Sequence, residues 1–249
     1  MPRSTANGWE PAVQPSTIEG AQDLIVRQRG AYTRQLQLNR PGRGNAMDEA
    51  LSDGLITAVA TAYADDTKLL VIGGEGKHFC SGFDRGSDDS GLGPKATLRL
   101  LKLESLLQLL WRAPFVTVAC IHGKALGAGA DLAAVCDYRL ITRASTFAFP
   151  GFRLAGVSLG NRRLAELIGS HAAFDLVLRG TEIDCDSALA CGLATGALER
   201  EDFDPFIAEL QHQLQDIEKA SINILREATR ASSDGSRDIE RLVQSVRLK

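Results

Sequence analysis

The sequence predicts an α/β fold that ends in a C-terminal helical region, and three observations carry the prediction. Short apolar runs at 69–72 and 115–121 lack polar alternation, the pattern of strands covered on both faces. Segments of helical period separate such runs in the first half of the chain. Beyond Asn161 almost every residue falls into helical pattern, up to about Leu248, so helices accumulate once the sheet is complete.

The elements follow in order. The first 20 residues, rich in Pro, Ser, Thr and Gly, read as a loosely held arm. Residues 24–27 and 32–38 flank Gly30, and Leu36 and Leu38 share one face of the second run, which predicts a hairpin. The stretch 39–44 is a loop punctuated by Pro41, Gly42 and Gly44. From Asp48 to Ala64 a helix is expected, with Leu51, Leu55, Ala58, Val59 and Ala62 on one stripe. The strand at 69–72 runs into a glycine-rich loop from Gly73 to about Pro94. A leucine-rich helix then ends at Trp111, ahead of Pro114. After the strand at 115–121 come a helix at 127–136 and short strands at 138–141 and 146–149. The expected core includes Leu70, Ile72, Val116, Val118, Ile121, Leu132, Val135 and Leu140. No fixed-period repeat and no long linker occurs, so the chain divides into an arm (1–20), an α/β core (21–200) and a helical region (201–249).

Composition narrows the function classes. Among 249 residues, 28 Lys and Arg stand against 31 Asp and Glu, a net charge of −3 without the basic patch that nucleic acid requires. No stretch of 18 apolar residues exists to span a membrane, and the first residues lack the apolar segment of a secretory signal. The five cysteines show no C-x-x-C spacing and read as reduced thiols. No His, Cys and Asp cluster has metal-ligand spacing, no Walker lysine motif occurs, and Gly127-Ala128-Gly129 lacks the third small residue of a dinucleotide fingerprint. A soluble, cytoplasmic protein that needs no metal or cofactor is the expectation.

Two glycine-bearing loops each follow a buried strand, one at 73–84 and one at 121–131. Ligands of α/β sheets gather at the carboxyl ends of strands, where small residues allow close backbone approach and N–H groups opening a helix receive negative oxygen. The order and spacing of His78-Phe79-Cys80-Ser81-Gly82-Phe83-Asp84 and His122-Gly123-Lys124-Ala125-Leu126-Gly127-Ala128-Gly129-Ala130-Asp131 resemble the crotonase (enoyl-CoA hydratase/isomerase) superfamily. Leu38-Asn39-Arg40-Pro41, Asn45-Ala46-Met47, Cys136-Asp137 and Ala190-Cys191-Gly192-Leu193 extend the resemblance over roughly residues 23–230. It implies a crotonase-like spiral of ββα units, a homotrimer or hexamer built partly by the C-terminal helices, and an acyl-CoA thioester as substrate. It places the two oxyanion-hole N–H groups on Phe83 and Ala128, and an acid/base on Asp131. Asn45, Ala46, Ser81 and Gly82 would flank the nucleotide and pantetheine, with Asp84 and Gly127 shaping the two loops. Arg40 and Arg43 would meet CoA phosphates.

The chain departs from the family at one position. The second glutamate of a hydratase sits in a Pro-Glu pair, and the matching pair here is Pro150-Gly151, which carries no acid. The segment after it is also about two residues shorter than usual. Two-carboxylate hydration is then hard to assemble, because two groups must manage the water and the α-proton. Isomerisation through Asp131, decarboxylation or thioester hydrolysis on the same fold, and an acyl-CoA-binding subunit without turnover are the remaining readings. From another class, Gly156-Val157-Ser158-Leu159-Gly160 matches the G-x-S-x-G nucleophile elbow of a serine hydrolase, but no strand precedes it and only His171 and His212 follow. His78 and His122 flank the pocket loops, and Cys80 reads as a buried thiol.

Overall fold

The computed structural model describes residues 16–18, 21–86 and 93–230. Nine strands are seen among them: β1 (Ser16–Ile18), β2 (Ala21–Arg29), β3 (Thr33–Leu38), β4 (Leu69–Gly74), β5 (Val116–Ile121), β6 (Lys124–Leu126), β7 (Tyr138–Ile141), β8 (Thr146–Ala148) and β9 (Gly196–Ala197). A seven-stranded sheet runs in the order β1-β2-β3-β4-β5-β7-β9, and β6 and β8 form a separate parallel pair. The β2–β3 hairpin is antiparallel; from β3 to β9 every pairing is parallel. The helices are α1 (Glu49–Ala64), α2 (Pro94–Trp111), α3 (Ala128–Ala134), α4 (Gly151–Ala155), α5 (Asn161–Ile168), α6 (Ser170–Arg179), α7 (Cys185–Ala190), α8 (Phe203–Leu214) and α9 (Lys219–Thr229).

The uninterrupted apolar runs are explained by two cores. Leu70 and Ile72 of β4 and Ala119 and Ile121 of β5 face the larger core, with α1, α2 and α3. Leu69, Val71, Val118 and Cys120 point the other way, onto Phe203, Ile207, Leu210 and Leu214 of α8. Successive strand side chains alternate, so both sets must be apolar once both faces are covered.

Cations hold the late helices to the early ones by closing free carbonyl ends. Lys219 Nζ donates to the carbonyls of Ala62, Tyr63 and Asp65 at the end of α1. Lys68 Nζ donates to Gln215 O at 2.8 Å, beyond α8. Arg226 reaches Leu110 O and Trp111 O at the end of α2 and pairs with Asp137, which also accepts from Arg230. Burial pushes the Arg226 guanidinium down to about 9 and that of Arg230 down to about 10.

Several expectations need correction. Residues 16–18 of the supposed loose arm form β1 and pair with β2. Val116 opens its strand at the sheet margin and is only partly buried. The C-terminal region is two helices with a break at 215–218, because the chain must turn back over α1; its expected continuation past 230 lies outside the described residues.

The core placement predicts contrasting costs. Leu55→Ala, at a fully buried position of α1, lowers unfolding free energy in urea by about 3 kcal/mol. Leu225→Ala, at a position 63% exposed on α9, changes it by less than about 0.5 kcal/mol.

Candidate active site

The two glycine loops meet backbone to backbone. Phe79 N–H donates to His122 O at 2.9 Å, Cys80 N–H to Lys124 O at 3.1 Å, and Leu126 N–H to Cys80 O at 2.9 Å. This stitching lays the first loop beside β6 and against the start of α3. Gly82 has φ +102°, and a Cβ there would stand 2.6 Å from Leu126 O and 3.5 Å from Ala128 N. A Cβ on Gly129 would stand 2.4 Å from Cys80 O. Only glycine permits either approach. Met47 bonds to both residues flanking Phe83, donating to Gly82 O and accepting from Asp84 N–H. Among the described residues, neither the Phe83 nor the Ala128 N–H donates to a backbone carbonyl. The Phe83 ring is steadied by the Arg99 guanidinium, 4.5 Å from its centroid.

The residues expected around the CoA moiety are largely occupied with one another. Asn45 is fully buried at φ +57°; its Nδ2 donates to the carbonyls of Glu75, His78 and Phe79, and its Oδ1 accepts from Arg40 N–H. Its side chain therefore anchors the first loop and has no polar atom left for a ligand. Arg40 contacts three carboxylates, Asp23 at 3.3 Å, Asp48 at 3.2 Å and Asp84 at 2.5 Å, and donates to Ala46 O. In this structure its guanidinium is thus engaged by protein carboxylates. Burial pushes the Asp84 carboxyl up, but hydrogen bonds from Arg40 and Gly86 N–H outweigh it and hold Asp84 below the usual range. Arg43, with a side chain 60% exposed and 3.4 Å from Asp84, stays open to solvent. Ser81 is exposed, its Oγ donating to Arg43 O. Gly127, at φ +51°, donates its N–H to Ala148 O, and a Cβ there would stand 4.0 Å from Pro150 Cδ.

Asp131 lies on α3, three residues after Ala128, and is 6% exposed. Its carboxyl receives no hydrogen bond or ion pair among the described residues. Burial pushes it well above the usual carboxylate range; Arg163 pulls it down and Glu104 pushes it up, and burial prevails. Burial therefore favours its protonated form. Glu104 and Arg163 are buried beside it, and sequence reading did not single them out. Glu104 is the one acid inside the leucine-rich stretch 98–110, which was a signal available in the sequence.

The departure at Gly151 is built into the backbone. Gly151 opens α4, and a Cβ there would stand 2.6 Å from Val157 O, so the second carboxylate is missing and its space is filled. The G-x-S-x-G match is not an elbow: α4 precedes Ser158, whose hydroxyl is hydrogen-bonded to Asn161, and the two downstream histidines sit exposed on α6 and α8. Of the other candidates, Cys80 donates to Asn45 O and burial pushes its thiol up to about 12, so it is inert. Burial lowers both His78 and His122, with neighbouring Lys77 and Arg200 respectively adding to the effect. Among the described residues no group of His, Cys, Asp and Glu is placed to hold a metal, and no helix is long and apolar enough to cross a membrane.

Comparison with known proteins agrees with this geometry. Residues 29–249 match the enoyl-CoA hydratase/isomerase family. The Mycobacterium leprae protein named probable enoyl-CoA hydratase echA6 is 33% identical over 183 residues, which cover 70% of this chain and 71% of that one. The ethylmalonyl-CoA decarboxylase of Gallus gallus is 36% identical over 140 residues, 55% of this chain, so the match spans about half (47%) of that relative. A solved structure from Bordetella parapertussis, assigned to enoyl-CoA hydratase/isomerase, superposes with a TM-score of 0.85 at 28% identity over 90% of this chain and 92% of its own.

Two predictions follow from the buried carboxyl and its absent partner. An unfolded Asp ionises near pH 4, whereas folded Asp131 keeps its proton well above that. Between those values the unfolded chain binds fewer protons, so folding stability falls as pH rises. Asp131→Asn, measured by urea unfolding, matches wild type below about pH 4 and becomes progressively the more stable protein toward neutral pH. Gly151→Glu forces its side chain onto Val157 O; it loses about 1–3 kcal/mol of stability and acquires no crotonyl-CoA hydration.

Proposed function

Because the chain belongs to the enoyl-CoA hydratase/isomerase family, we propose that it is an acyl-CoA enzyme that forms a thioester enolate and protonates it with a single acid, Asp131. The substrate class that fits best is a 2-carboxyacyl-CoA, and the reaction is its decarboxylation. The observation that carries the reading is the buried carboxyl of Asp131, its protonated form favoured by burial three residues beyond Ala128, with glycine at 151 where the second carboxylate would stand.

The chemistry follows from what such a site supplies. The N–H groups of Phe83 and Ala128 donate to the thioester oxygen as it gains charge. The bond from the α-carbon to the substrate's carboxylate breaks, CO2 leaves, and the electron pair passes into the enolate. Asp131 gives its proton to the α-carbon and regains one from water. Hydration would need a second group to manage the attacking water, and Gly151 has none to offer. Glu104 does not fill that role, because Arg163 holds both its oxygens. Donors aimed at developing charge supply the main electrostatic term, and each is worth on the order of 3 kcal/mol. Relatives named ethylmalonyl-CoA decarboxylase are consistent with decarboxylation. The family resemblance also carries the expected trimer or hexamer, and the exposed apolar Phe152, Leu154, Phe174 and Leu178 are surface that assembly would cover.

Release of CO2 from ethylmalonyl-CoA, compared with enzyme-free controls and followed beside hydration of crotonyl-CoA, tests the reading. The expected result is decarboxylation with little hydration, and a kcat lowered about 100-fold or more in Asp131→Asn. Faster hydration than decarboxylation, or an Asp131→Asn variant as active as wild type, would overturn it.

A further inference from the structure

A buried ion pair stands directly beside Asp131. Glu104 of α2 and Arg163 of α5, with side chains each 2% exposed, meet in a bidentate contact: Nη1 to Oε1 at 2.9 Å and Nη2 to Oε2 at 2.8 Å. Gln108 Nε2 also donates to Glu104 Oε1 at 3.2 Å. Pairs this deep seldom add stability over apolar packing, because both charges lose their hydration. Its location suggests a different use. The point where a side chain on Gly160 would begin is 2.9 Å from Asp131 Oδ1 and 3.5 Å from Arg163 Nη2, so carboxyl and guanidinium border the same small space. Despite that closeness, the guanidinium is turned to Glu104, and no ion pair joins it to Asp131.

We propose that Glu104 is a positioning residue: by engaging both terminal nitrogens of Arg163, it denies Asp131 a counter-ion and keeps that carboxyl a proton donor. The proposal rests on the reading of Asp131 as the working acid. The charged groups on the elements packed against α3 agree with it. From α2 comes Glu104 and from α5 comes Arg163, while Lys124 of β6 places its ammonium 2.7 Å from Glu182. Arg163 is thus the cation whose charge acts on Asp131. Removing the charge of Glu104 must favour the ionised form of Asp131; removing Arg163 while keeping Glu104 must favour the protonated form. A pair that merely cements the core would act on stability alone, in the same sense for both variants.

The test compares wild type with Glu104→Gln, Arg163→Met and the double variant in two measurements. One is the pH profile of kcat for ethylmalonyl-CoA decarboxylation, with KM recorded alongside. The other is the infrared band of a protonated carboxyl, identified as the band that Asp131→Asn removes, followed through the same pH range without turnover. In Glu104→Gln the band and the descending limb of kcat move to lower pH by about one unit or more, a tenfold loss of kcat at fixed pH above the limb, while KM stays within about twofold. In Arg163→Met both move to higher pH, and the double variant, which has no lone buried charge to unfold it, stays near wild type. If Glu104→Gln does not fold, the other two carry the comparison by the sign of their shifts. A band that titrates at one pH in all variants, or that moves the same way in both single variants, overturns the role of Glu104 and leaves Asp131 as the acid. An Asp131→Asn variant that removes no protonated-carboxyl band overturns the assignment of Asp131 itself.

Discussion

The contact between two backbones, Gly82 against Leu126 O and Gly129 against Cys80 O, is the constraint on which the rest depends. A single methyl group at either position would separate the loop after β4 from the start of α3. Their closeness is what sets the N–H of Phe83 and that of Ala128 in one region. It also fixes where the next turn of α3 points, because Asp131 follows Ala128 by three positions and shares its helical face. The parallel sheet supplies the rigid base: β4 and β5 are covered on both faces, so the loops leaving their carboxyl ends start from strands with no freedom to shift.

Charge is distributed around that contact according to burial. Where cations are plentiful, carboxylates pair with them: Asp84 with Arg40 and Arg43, and Asp137 with Arg226 and Arg230. These acids fasten loops and helix ends. Asp131 is the opposite case, a carboxyl surrounded by α3, Gly160 and a guanidinium already taken by Glu104. Perturbed acids of this type are arranged where chemistry needs a proton near neutral pH. A side chain on Gly151, where the second carboxylate of the family would begin, would meet Val157 O, which is why the proposed chemistry moves one proton onto carbon and activates no water.

Much of this was legible in the sequence, for physical reasons. The runs at 69–72 and 115–121 announced strands covered on both faces, and the two glycine loops carried the family motif because close backbone approach leaves glycine no substitute. Other features left no local trace. The strand β6 is three residues long, too short for any alternation to register. Pro150-Gly151 shows the missing acid but gives no sign of the helix that begins there and brings Val157 O back. Arg40 looked free for a phosphate because Asp23, Asp48 and Asp84, which neutralise it, come from three separate segments. Glu104 and Arg163 lie 59 positions apart, and only the packing of α2 against α5 across α3 reveals that they share a pocket with Asp131.

The central claim is that one buried acid exchanges a proton with the α-carbon of a thioester held as its enolate. Incubating the protein with butyryl-CoA in deuterated buffer and following the α-protons by NMR tests this directly, since an acid that protonates an enolate must also, in its ionised form, remove the proton from the product. The account predicts that wild type replaces the α-protons with deuterium and that Asp131→Asn, still binding the thioester, does not. Equal exchange by both proteins, or none by a wild type shown to bind butyryl-CoA, would contradict it.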